Sequence, residues 1–176
     1  MKNYYTKMKL PEPLVPALQA LSLLKGQTAL VTGANSGIGR AIAVSLGRAG
    51  ANVVVNYVVK PEEAEAVVVE IQGGGGHAVA IRADVGDEAQ VVAMFAEAVK
   101  AFGTVDILVS NAGMERNAPF PEMTTAQGDA VMNVNLRGAF LCAREAVREF
   151  LRRGVRPEVS VAAGKIIFIS SVHELI

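Results

Sequence analysis

The chain has 176 residues, enough for one domain of ordinary size, and is 51% hydrophobic, 19% charged and 5% aromatic, the balance of a soluble α/β protein. Its 17 lysines and arginines match 17 aspartates and glutamates. No basic cluster exceeds Arg148, Arg152, Arg153 and Arg156, which read as a solvated helix end, so nucleic acid is not an expected partner. Cys142 is the one cysteine; it permits no disulfide within the chain, points to a reducing cytoplasm, and reads as a small apolar helix residue and not as a nucleophile.

In chain order, residues 1–24 read as an extension packed on the domain or on a neighbouring subunit. Lys2, Lys7 and Lys9 precede an apolar run over 14–24 that resembles a secretion signal, but Pro16, Gln19 and Lys25 spoil it and a strand follows at once. The run is also too short and interrupted to span a bilayer. Residues 25–176 then read as one unit. Strands are expected at 29–32, 52–56, 78–82, 107–110 and 165–170, with helices at 38–49, 62–72, 88–102, 125–133 and 139–152. For the third helix, Asp87 can accept from the backbone N–H of Gln90, whose side chain can reach back, and Gly103 stands where the helix should stop. Gly73 to Gly76 read as a flexible connection, and 154–164 as a surface loop of variable conformation. Strands alternating with helices predict a doubly wound parallel sheet covered on both faces.

The chemistry begins at Thr32-Gly33-Ala34-Asn35-Ser36-Gly37-Ile38-Gly39, between the first strand and the first helix. Gly33 permits a sharp exit from the strand, Gly37 lets backbone approach a pyrophosphate, and Gly39 allows close packing of helix on sheet. The helix then turns unpaired N–H groups and the positive end of its dipole to the phosphates.

With these residues the chain resembles the short-chain dehydrogenase/reductase family, whose first motif is matched at Thr32, Gly33, Gly37 and Gly39. Further matches are Asn111-Ala112-Gly113 after the fourth strand, Asn135 in Val134-Asn135-Leu136-Arg137-Gly138, and Ser170-Ser171 ending the fifth. The resemblance covers residues from about 24 onward and implies a Rossmann-type sheet with strand order 3-2-1-4-5 over the five strands present. It implies that Thr32, Gly33, Asn35, Ser36, Gly37, Ile38, Gly39, Asn56, Tyr57, Asp84, Val85, Asn111, Ala112 and Gly113 bind an NAD(P) cofactor, that Asn135 and Ser171 are catalytic, and that no metal takes part. Asp84 taken by itself reads equally as the cap of a turn.

At the end of the second strand, where a carboxylate would select NAD, the chain has Val55-Asn56-Tyr57-Val58-Val59-Lys60 and no acid before Glu62. NADP, or use of both cofactors, is therefore expected, with Lys60 or Arg40 supplying positive charge. Asn111-Ala112-Gly113-Met114-Glu115, Gly138-Ala139-Phe140-Leu141 and Ser170-Ser171-Val172-His173-Glu174 resemble bacterial glucose 1-dehydrogenases. That resemblance implies a small-molecule sugar substrate, bound by Glu115, Ser171 and His173, whose C1 hydroxyl is oxidised to a lactone. Read without it, Glu115 and His173 are ordinary loop residues. A 3-oxoacyl-carrier-protein reductase and a non-catalytic nucleotide-binding chain are the alternatives.

The family's catalytic tyrosine and lysine, four residues apart, should follow the serine by about a dozen residues. The chain ends at Ile176, so it is expected to be a C-terminally truncated, inactive form of an enzyme whose full length is a homotetramer. Tyr5 and Lys9 reproduce the Tyr-x-x-x-Lys spacing, but they precede the first strand beside Pro11 and Pro13, and are read as a chance match.

Overall fold

The structure, a computed structural model, describes residues 22–171; Tyr5, Lys9, most of the N-terminal extension and His173 lie outside them. Five strands form one sheet: β1 (Thr28–Val31), β2 (Asn52–Tyr57), β3 (His77–Arg82), β4 (Ile107–Ser110) and β5 (Lys165–Phe168). All pairings are parallel and the order is 3-2-1-4-5. The crossovers carry α1 (Gly37–Arg48), α2 (Pro61–Gly73), α3 (Glu88–Phe102), α4 (Thr125–Met132) and α5 (Ala139–Arg153).

The strands are apolar at consecutive positions because helices cover both faces. Ala29, Val31, Val53, Val55 and Val109 pack with Ala64, Val67, Val68 and Ile71 of α2 and with Ala43 and Val44 of α1. Leu30, Val54 and Leu108 face the other way, onto Val91, Met94, Phe95 and Ala98 of α3 and Leu141, Cys142, Ala146 and Phe150 of α5. The i, i+3, i+4, i+7 spacing of the α2 and α3 residues is what puts each set on one helix face. Each fully buried valine or leucine contributes roughly 1.5–3 kcal/mol. β5, which has a strand neighbour on one side, keeps Ile167 and Phe168 exposed.

Three local expectations are corrected. Gly73 to Gly76 form a hydrogen-bonded turn and not a loose connection: Gly74 N–H donates to Glu70 and Ile71 carbonyls, and Gly76 N–H to Ile71 O. The two helices expected at 125–133 and 139–152 are one continuous rod, because residues Asn133–Gly138 continue it as a π-helical segment. The arginines at the end of α5 and just beyond it are not all solvated. Arg153, 9% exposed, and Arg156 both pair with the buried Asp106 carboxylate at 3.0 Å, which also accepts from Thr28 N–H at 2.8 Å. A carboxylate buried at the start of β4 requires such cations, and they tie the 154–164 loop to the sheet, where Lys165 Nζ also donates to Gln27 and Ser160.

Candidate active site

The strand order reverses between β1 and β4, which opens a crevice at their C-terminal ends, where this architecture receives ligands. Thr32 and Asn111, the residues that follow the two strands, lock together there. Thr32 Oγ1 accepts from the N–H groups of Asn111 and Ala112 at 2.9 Å each. The Asn111 amide in turn donates to the carbonyls of Thr32 and Gly33 at 2.9 and 3.2 Å. The glycine turn is thus clamped from the β4 side.

From the β2 side it is clamped by Asn56, 1% exposed. Its Oδ1 accepts from Gly33 N–H at 3.1 Å while its Nδ2 donates to the carbonyls of Ala83 at 3.0 Å and Ile81 at 3.4 Å. The side chain is committed to joining three strands and so shapes the turn.

The turn fits a dinucleotide on grounds internal to the chain. A β-carbon on Gly39 would lie 2.3 Å from Gly33 O and 2.5 Å from Asn111 Nδ2, so no larger residue fits the approach of α1 to the turn. Gly37 has φ +54° and open space where a side chain would stand, leaving the backbone accessible to a ligand. Ser36 precedes α1 without its side chain capping the helix, and the first turn of α1 holds no acid. Its N–H groups and positive dipole end therefore face the crevice without an internal anion to neutralise them.

Asp84 and Val85 stand at the far side of the sheet end. Asp84 Oδ1 accepts from Gly86 N–H at 2.9 Å, the turn-capping role, while Val85 is 3% exposed and packs against Gly138, where a β-carbon would come within 2.7 Å of it. Tyr57 is half-buried at the end of β2.

The π segment positions Asn135. A π turn inserts one residue into the helical ladder and commonly marks a functional site. Here it turns Asn135 toward the segment that follows β4: Asn135 Oδ1 accepts from Met114 N–H at 2.9 Å and its Nδ2 donates to Met114 O at 3.0 Å. A cleft of about 930 Å³ opens beside this clasp and brings together Ile38, Gly113, Glu115, Asn135 and Ser171. Apolar walls come from Leu136, Phe140, Phe168 and Ile169.

A carboxylate that the sequence reading missed stands on the glycine turn. Glu63, in the first turn of α2, accepts from Asn35 Nδ2 at 3.3 Å and from Lys60 Nζ at 2.6 Å. Hydrogen bonding to Glu63, reinforced by its charge, raises the Lys60 pKa above the usual lysine value. The second strand carries no acid at its end, but the helix that follows reaches back. Acids in the first turn after Pro61 were the available signal. Arg40 is drawn away to Glu70 at 2.7 Å. Cys142 takes no part: burial, with some help from Glu145, pushes its thiol up to about 12. Among the described residues no group of three or more His, Cys, Asp or Glu could hold a metal ion, and no helix is long and apolar enough to cross a membrane.

A glycine turn between β1 and α1, at the switch point of a 3-2-1-4-5 sheet, defines a nucleotide-binding doubly wound domain. A family model described as short chain dehydrogenase matches residues 27–176. Short chain dehydrogenase claC of Passalora fulva is 47% identical over 131 residues, 74% of this chain and 49% of that protein. A short chain dehydrogenase of Claviceps purpurea (strain 20.1) is 49% identical over 148 residues, 84% of this chain and 52% of that protein. The chain therefore spans about half the length of these relatives. Among solved structures, a short-chain type dehydrogenase/reductase from Mycobacterium marinum superposes with a TM-score of 0.81 at 33% identity, covering 89% of this chain and 60% of that one. A short chain dehydrogenase from Burkholderia cenocepacia J2315 in complex with NADP gives 0.70 at 41% identity, covering 72% and 51%. The chain belongs to the short-chain dehydrogenase family.

Proposed function

We propose that the protein containing this chain is an NAD(P)-dependent oxidoreductase that oxidises the C1 hydroxyl of glucose or a similar sugar to the lactone. The observation that carries this reading is the single cleft in which Glu115, Asn135 and Ser171 meet beside Ile38 of the glycine turn. Hydroxyl, amide and carboxylate together suit a polyhydroxylated substrate. The cofactor, when bound, supplies the hydride acceptor. We assign it to Thr32, Gly33, Asn35, Ser36, Gly37, Ile38 and Gly39, with Tyr57, Asp84, Val85, Asn111, Ala112 and Gly113 around them; NADP or both cofactors are favoured, in keeping with the NADP held by the Burkholderia structure.

In this scheme Ser171 hydrogen-bonds the reacting oxygen as the carbon gives up its hydride. Asn135 orients water that carries the hydroxyl proton to solvent. Glu115, with His173 from outside the described residues, receives sugar hydroxyls. The proton acceptor of the family is a tyrosine assisted by a lysine four residues on. In these 176 residues that spacing occurs at Tyr5 and Lys9 alone; the pair precedes β1 and is given no role, so the activity is proposed for the whole protein. That protein is further proposed to work in the cytoplasm as a homotetramer.

A 3-oxoacyl thioester is the second candidate, favoured by the apolar wall of Leu136, Phe140, Phe168 and Ile169. Steady-state rates of the full protein decide between them. Reduction of NAD(P) with D-glucose is expected to outrun oxidation of NADPH with a 3-oxoacyl thioester, and the opposite order overturns the sugar assignment.

A further inference from the structure

We propose that Glu63 fills, with its own carboxylate, the anion position that receives the 2′-phosphate of NADP, so that NADP must displace Glu63 to bind whereas NAD need not. The inference rests on the dinucleotide reading above. It starts from two donors that converge on one carboxylate: Lys60 Nζ lies 2.6 Å from Oε1 and Asn35 Nδ2 lies 3.3 Å from Oε2. An ammonium and an amide are the donors a phosphate monoester would use. They stand where the end of the second strand meets the glycine turn, the place of the adenosine ribose in this architecture. Asn35 joins the two directly, since its amide also donates to Val59 O at 3.4 Å.

Lys60 is placed for this position by its backbone. Among the described residues it is the one non-glycine with positive φ, at 60°, a conformation unfavourable for a residue with a β-carbon. Pro61 closes the right-handed helical region to it. The neighbouring cations are engaged elsewhere: Arg40 with Glu70, and Arg82 Nε with Val58 O at 3.0 Å. Lys60 is thus the cation placed on the carboxylate that Asn35 of the turn also meets. Glu63 can leave, because its side chain is 35% exposed and surface ion pairs are weak.

The two cofactors then meet different demands. A ribose 2′-hydroxyl can donate to Glu63 with the Lys60 pair intact. A 2′-phosphate repels Glu63, takes over Lys60 and Asn35, and leaves the carboxylate to solvent. The preference between cofactors is therefore set by competition between two anions for one lysine.

Dissociation constants of NADPH and NADH for the full protein, measured by fluorescence titration at low and high salt, test this. Glu63→Gln is expected to shift the affinity ratio about tenfold toward NADPH, and Lys60→Ala about tenfold toward NADH while flattening the salt dependence of NADPH binding. An unchanged ratio in either variant, with both nucleotides still bound, overturns the inference and leaves the dinucleotide reading standing. Failure of folded wild-type protein to bind either nucleotide overturns both.

Discussion

Gly39 shows how much of this site depends on an absent atom. The clash distance for a β-carbon, 2.3 Å to Gly33 O, is to backbone, which cannot rotate away. Gly39→Ala must therefore push α1 off the turn and disturb the Asn111 clamp. Overpacking of this kind costs about 1–3 kcal/mol, and the displaced N–H groups no longer converge on a phosphate. Gly39→Ala is expected to lower the melting temperature and to weaken NADPH binding by more than about tenfold, while Gly37→Ala, which meets no atom within 4 Å, carries only the strain of its positive φ. Calorimetry on both variants checks the order; equal affinity in wild type and Gly39→Ala would separate this turn from the phosphates. Gly39 was legible in the sequence because its constraint is local to the turn. The role of Asn56 was not, since its partners Gly33, Ile81 and Ala83 come from three segments that only the folded sheet brings together.

Among the elements, α3 was read to the residue: Asp87 accepts from Gln90 N–H at 3.1 Å, the Gln90 side chain returns to Asp87, and Gly103 ends the helix at φ +82°. Its signals lie within one helix length. The continuity of α4 with α5 was not read, because Asn135 is braced by Met114, 21 residues away, and Gly138 between the two serves packing against Val85, which is distant in sequence. Glu149 of α5 is another such long-range case. Buried at 7% exposure, it accepts from Thr104 Oγ1 at 2.9 Å and from Arg152 at 2.7 and 2.8 Å. Burial raises its pKa, but the hydrogen bonds from Arg152 and Thr104 outweigh that, and the net shift is below the usual 4.5. A depressed carboxylate stabilises the fold above its unfolded pKa, and the contribution disappears as pH falls through the folded value. Stability should therefore decline below about pH 4.5, and Glu149→Gln should lose about 1–3 kcal/mol at pH 7 while showing a shallower acid limb. Urea midpoints between pH 3 and 7 measure both; identical acid limbs would mean Glu149 is not the group responsible.

At the scale of the molecule, the continuous α4 to α5 rod leaves an apolar face bare. Met132, Leu136, Phe140, Val147 and Leu151 are 44–79% exposed, and their spacing in steps of four and seven puts them on one stripe. An uncovered patch of that length is unusual for a monomer. Two copies crossing antiparallel along the rod would cover the two stripes with one another. The proposed tetramer thus has a face suited to a two-fold contact. Leu151 is the position at which to break it, since it lies outside the cleft and at 79% exposure its replacement should change intrinsic stability by no more than about 0.5 kcal/mol. Leu151→Glu is expected to reduce the mass seen by sedimentation of the full protein to that of a smaller species, with nucleotide affinity retained. If the variant sediments with wild type, the rod is not where the subunits meet.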